Sequence, residues 1–261
     1  IEKLRLSKSS DITAFLKAHD ERIESTAINR VLKIATQIEK MRLHFCHLST
    51  QAGLEEITKA KKAGNIVTCE VTPHNLLLTK DNYEQLSMRA LTMPPLRNKK
   101  NVDALWKGIA EKSIDCIGSD HAPHTAEEKE SRNVWEVKAG VPGLETTLPL
   151  MLSLVHRRQL SLTQAVELLS ERPAQIFSLT DRGILEQGKN ADLVIVNFNE
   201  KFKIDASKFQ SKAKYSPFNG WEVQGKPIMT FVNGQIVMED QHVTDRFGSI
   251  IARGSENEIY P

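Results

Sequence analysis

The chain has 261 residues, 40% hydrophobic and 26% charged, with a formal charge of +2, the balance of an ordinary globular protein. A charge that near zero gives no reason to propose a nucleic-acid or membrane surface. No run approaches the roughly 20 apolar residues of a membrane span and no secretory leader is visible, so a cytoplasmic enzyme is expected.

The first residue is Ile1 rather than Met, and Ile1–Leu6 is charged helical text. That points to processing, or to an upstream half carried elsewhere. From Asp11 to about Lys40 the apolar positions Ile12, Phe15, Leu16, Ala27, Val31, Ile34, Ala35 and Ile38 follow helical spacing. Met41–His47 reads as a short buried strand. A helix through Gly53–Ala63 follows and is ended by Gly64. Asn65–Val71 reads as a strand stopped by Thr72-Pro73, Val102–Lys112 as a helix, and Ile114–Gly118 as a third strand. Apolar strands alternating with helices, with no hairpin turns between them, are the mark of parallel βα units. Three strands cannot close a barrel, so others must be supplied. Leu144–Arg158 and Leu162–Leu179 read as helices, the second interrupted by Pro173. From Gly183 the text turns β-rich, with Ala191–Val196, Pro227–Val232 and Gln235–Met238 as strands and Asn233-Gly234 as a hairpin turn. A boundary near Asp181 is expected, giving domains 1–180 and 181–261.

In parallel βα folds chemistry collects at the C-terminal ends of the strands. Here those ends are His44-Phe-Cys-His47, Glu70-Val-Thr-Pro-His74 and Asp120-His-Ala-Pro-His124. Strand alternation sends His44 and His47 to opposite faces, so at most one faces a pore. His47, nearer the strand end, is the better ligand candidate, although in isolation a buried, hydrogen-bonded core histidine would be the favoured reading. Cys46, Cys69 and Cys116 are odd in number and far apart, which is no disulfide framework, and each is expected as a buried free thiol. Glu70 and Asp120 end apolar strands, where a carboxylate must be paired or bound. Acids and histidines at three successive strand ends suit zinc, which accepts nitrogen, oxygen and thiolate donors. Trp106, Trp135 and Trp221 read as packing residues, Lys59–Lys62 as a solvated face, and His19, Asp20, Glu21 and Arg22 as surface in preference to a network supporting the site.

Gly118-Ser-Asp-His-Ala-Pro-His-Thr-Ala-Glu-Glu-Lys129 closely resembles the signature of dihydroorotases in the amidohydrolase superfamily. His44–Thr50, Val67–His74, Met93–Arg97, Gly140–Thr146, Glu171–Ala174 and Gly183–Val196 match the same family in the same order. The resemblance implies an α/β fold, the C-terminal part of an amidohydrolase-type (β/α)8 barrel followed by a small β-rich domain. It implies two zinc ions per complete site, with a third in some relatives. By the same resemblance His47 is a zinc ligand, and Asp120 is both ligand and general acid/base. Cys46 and Glu70 match positions that bind the additional zinc. His124, Pro142 and Gly143 would hold the dihydroorotate ring, and Met93 stands where relatives often carry Asn or Arg facing the substrate.

The family's His-x-His with its following arginine, the carboxylated lysine or aspartate, and a further histidine are not found in this chain. The reading is a zinc-dependent cyclic amide hydrolase that interconverts dihydroorotate and N-carbamoyl-L-aspartate in pyrimidine biosynthesis, with the N-terminal half of the barrel as an obligatory partner. Without that half the open strand edges invite aggregation. Homo-oligomerisation is expected, with aspartate transcarbamoylase as a pathway partner. Two alternatives stand beside it: a hydantoinase or allantoinase, and an inactive homologue acting as a scaffold.

Overall fold

Short polar side chains decide where the helices begin. Asp11 accepts the Ala14 amide at 2.8 Å and opens helix α1, Ile12–Ala18. Asp20 accepts the Arg22 amide at 2.9 Å and opens helix α2, Glu21–Ala35. The periodicity from Asp11 to Lys40 is therefore two helices, because Asp20 takes a backbone amide in the middle of the pattern. The computed structural model describes residues 10–244 and 248–251, and Ile1–Leu6 lies outside the described residues.

The chain divides into two compact units, Ile1–Leu144 with Asp205–Asn219, and Glu145–Ile204 with Gly220–Pro261. The composition-based boundary near Asp181 marks where β-rich text begins, whereas compactness divides the chain at Leu144 and returns residues 205–219 to the first unit.

In the first unit, strands β1 (Arg42–Phe45), β2 (Ile66–Val71) and β3 (Cys116–Ile117) form a parallel sheet in that order. Helix α3 (Gln51–Lys62) joins β1 to β2, capped by Thr50 Oγ1 on the Gly53 amide at 3.1 Å. Two short helices, α4 (Pro73–Leu77) and α5 (Tyr83–Leu86), and then α6 (Lys99–Ala110) join β2 to β3. Ile57, Cys69, Val71, Leu91 and Leu105 are wholly buried and form its core. Trp106 donates to the Leu76 carbonyl at 2.9 Å and Trp135 packs on Phe15, as expected of packing residues.

The second unit opens on helix α7 (Leu144–His156), which buries Leu150, Met151, Leu152 and Leu154. Helix α8 (Leu162–Val166) runs through a π turn, Glu167–Glu171, into α9 (Arg172–Ile176). The wider turn accommodates Pro173, which has no amide to give an α-helix. Strands β4 (Leu193–Lys203), β5 (Glu222–Val232), β6 (Gln235–Glu239) and β7 (His242–Val243) pair antiparallel in sequence order. Asn233 (φ 51°) and Gly234 (φ 76°) both take the left-handed conformation that a two-residue hairpin turn needs. Among the described residues, no helix is long and apolar enough to cross a membrane.

Candidate metal centre and substrate cradle

Strand register decides which side chains meet. His44 stands beside Thr68, and Glu70 beside Cys116. With side chains alternating along each strand, positions 44, 68, 70 and 116 share one face of the sheet, and Cys46 and Gly118 follow just past the ends of β1 and β3. On β2 the opposite face is Val67, Cys69 and Val71, all buried. The His44 ring therefore lies between Thr68 Oγ1, 2.8 Å from Nδ1, and Glu70 Oε2, 3.3 Å from Nε2. Ligand atoms of His44, Cys46 and Glu70 all lie within 4.8 Å of one another. Tetrahedral zinc with nitrogen, sulfur and oxygen donors holds them roughly 3.3–3.8 Å apart. Small side-chain rotations would close this set on such an ion, so the donors present fit zinc.

The electrostatics point the same way. Burial, then the Glu70 and Asp120 carboxylates, push the Cys46 thiol above its ordinary pKa. Burial, then Glu70, raise Cys116 as well. Acidic groups converge here, and a cation among them would reverse the penalty on the thiolate. Gly118 makes room for the arrangement: a Cβ there would lie 2.5 Å from the Glu70 carboxyl carbon.

His47 and Asp120 are both non-glycine residues at φ 42°, a conformation that costs energy and clusters at functional sites. Each lies just beyond a strand, His47 after β1 and Asp120 after β3. The His47 amide approaches Glu70 Oε1 at 3.4 Å. β1 ends at Phe45, so His47 lies two residues beyond the strand whose alternation set it against His44. His44, passed over in the sequence in favour of His47, is the histidine whose ring meets Glu70, at 3.3 Å. Cys46 corrects a second expectation: it is exposed, since it lies past the end of β1, while Cys69 and Cys116 are buried. His74, buried beside this group, has its pKa lowered to about 3, by burial first and then by His47.

The segment behind His47 is pinned by Glu24, which accepts from the Ser49 amide at 3.0 Å, the Thr50 amide at 2.9 Å and the Thr50 hydroxyl at 2.8 Å. Arg97 pairs with Glu24 at 3.5 Å and donates to the Ser49 hydroxyl at 2.9 Å. Arg97 also reaches the His19 carbonyl at 2.6 Å, and Glu21 accepts from Asn98 at 3.1 Å and Asn101 at 2.8 Å. His19 and Glu21 therefore belong to this network rather than to a plain surface, whereas Arg22 and Asp20 do form an exposed pair.

Beyond β3, His121 Nδ1 accepts the Gly143 amide at 3.1 Å and the Leu144 amide at 3.2 Å. A bridge pairs His121 with Val141, and the Ala122 amide donates to the Val141 carbonyl at 3.0 Å. These bonds lay residues 141–143 alongside 121–124. Gly143 admits no side chain, since its Cβ would stand 2.5 Å from the Ser119 carbonyl oxygen. His124 is half-buried, with Nδ1 3.6 Å from Glu128, and Met93 is 53% exposed. His121 lies within the Ser-Asp-His-Ala-Pro-His string, yet its holding role showed only in the coordinates.

The chain is similar to known proteins. The amidohydrolase family model matches residues 5–237. A dihydroorotase from Methanosphaera stadtmanae is 40% identical over 243 residues, 93% of this chain and 55% of that protein. A dihydroorotase from Pyrococcus horikoshii is 42% identical over 223 residues, 85% of this chain and 50% of that protein. The chain thus spans about half the length of the curated relatives it matches. Among solved structures, an L-hydantoinase from Arthrobacter aurescens superposes with a TM-score of 0.88 at 35% identity, covering 94% of this chain and 55% of that one.

Proposed function

Because the chain belongs to the amidohydrolase family, we propose that it carries half of the active site of a zinc-dependent dihydroorotase. The carrying observation is the convergence of His44, Cys46 and Glu70 within 4.8 Å, with Asp120 acting electrostatically on the same thiol. In this reading His47 and Asp120 hold the catalytic zinc, and Cys46 and Glu70, with His44, hold an additional ion. Bound zinc supplies Lewis acidity, making water nucleophilic near neutral pH and polarising the scissile carbonyl. The Asp120 carboxylate takes the proton from the attacking water and delivers it to the leaving amide nitrogen, a transfer suited to a carboxylate within hydrogen-bond reach of both. His124, Pro142 and Gly143 seat the ring, with Met93 at its edge. The N-terminal half of the barrel is the required partner.

A second reading within the family has its own support. Met93 offers no polar group to a substrate carboxylate, and the L-hydantoinase superposes closely, so hydantoin or allantoin are competing substrates. The test uses the full-length protein, assayed on dihydroorotate, hydantoin and allantoin, beside its Asp120→Asn variant. Dihydroorotate is expected to be the preferred ring, and the variant to lose about 100-fold or more of its turnover. Preference for hydantoin would replace the substrate reading, and an Asp120→Asn enzyme at full rate would refute the acid/base assignment.

A further inference from the structure

Lys129 is 1% exposed, one of the large side chains that are fully buried among the described residues. Lysine is almost never buried without a partner, and here the partners are three backbone carbonyls. Its Nζ donates to the oxygens of Leu91 at 2.9 Å, Lys138 at 2.9 Å and Gly140 at 2.8 Å. An ammonium has three donors, and all three are used.

Those acceptors tie together the segments of the substrate cradle. Leu91 lies two residues before Met93, and its carbonyl also accepts the Gly140 amide at 2.8 Å. Gly140 lies two residues before Pro142. Its φ of 127° is open to glycine, and a Cβ there would come within 2.4 Å of Ala122 and 3.6 Å of the His124 ring. Lys129 itself ends the turn that follows His124. The Gly140 carbonyl receives a second donor, the buried Tyr215 hydroxyl, at 3.4 Å.

We propose that Lys129, with Tyr215 beside it, is a positioning residue that fixes the Gly140 peptide and thereby the seat made by His124, Met93, Pro142 and Gly143. The inference rests on the cyclic-amide reading of that cradle. A cation at this point screens three carbonyl dipoles from one another, which a neutral side chain of the same length cannot do. Burial lowers the Lys129 pKa to about 8, still protonated at neutral pH, while the carbonyls favour the charged form. The group touches no reacting atom, so its contribution belongs to binding.

The experiment compares full-length wild type with Lys129→Met and Tyr215→Phe, measuring kcat, KM and zinc content on whichever of dihydroorotate or hydantoin the wild type turns over. Lys129→Met is expected to raise KM ten-fold or more, with kcat changed less than three-fold and zinc retained. Tyr215→Phe is expected to raise KM two- to three-fold. A merely structural role would reduce the active fraction, lowering kcat at constant KM. Unchanged KM in both variants, or in Tyr215→Phe alone should Lys129→Met fail to accumulate, overturns the proposal. A wild type that prefers hydantoin corrects the substrate and leaves the KM test intact. A wild type that hydrolyses neither ring removes the reading and this inference together.

Discussion

His74 shows what one buried titratable group does to the molecule. Its ring is 3% exposed and its pKa is lowered to about 3, by burial first and by His47 second. An unfolded histidine titrates near 6.5, so between about pH 6.5 and 3 the unfolded chain binds a proton that the folded chain refuses. Stability held above pH 6.5 is therefore lost as pH falls through that window, by about 1.4 kcal/mol per pH unit. Urea denaturation of the full-length protein at pH 4, 5, 6 and 7 is expected to show a steeper acid loss than in His74→Leu, and parallel slopes would sink the assignment. At this scale the sequence was legible where chemistry was unusual. Carboxylates at Glu70 and Asp120, ending apolar strands, demanded a partner; Glu70 meets the His44 ring at 3.3 Å, and both carboxylates push the Cys46 thiol up. Glu24 was not legible, because a carboxylate in a helical pattern looks like any solvated face until Ser49, Thr50 and Arg97 arrive from distant sequence.

Among elements, the register of β2 against β3 sets the tolerance of the site. Gly118 follows β3 on the face that carries Glu70, and a methyl group there would overlap all three atoms of the carboxylate at 2.5–2.7 Å. Gly118→Ala is expected to displace Glu70, cost about 1–3 kcal/mol through overpacking and reduce zinc retention. Urea denaturation and metal analysis of the full-length variant check this, and wild-type values in both would show that Glu70 is free to move aside. Strand and helix identities were readable from apolar runs at period 2 and period 3.6, and β1, β2 and β3 fall inside the expected segments. Their ends were harder. β1 stops at Phe45, two residues short of the expected end at His47, since hydrophobicity does not report where pairing ceases. The break between α1 and α2 was likewise hidden, because one capping aspartate outweighs a continuous apolar rhythm.

For the whole molecule, the parallel sheet and the later strand-rich sequence were legible as patterns, but the path of residues 205–219 was not. That segment buries Phe209, Tyr215 and Phe218 and is grouped with the first unit. Burial of three such aromatic side chains is worth roughly 5–8 kcal/mol, comparable to the whole stability of a typical domain. Ending the full-length protein after residue 180 is therefore expected to abolish cooperative melting, followed by circular dichroism. An undiminished transition would show that 205–219 is dispensable. The chain leaves the first unit at Leu144, rejoins it at Asp205 and departs again at Asn219. During synthesis, then, the first unit is not delivered as one stretch: the sixty residues 145–204 leave the ribosome before its last piece, Asp205–Asn219, is made.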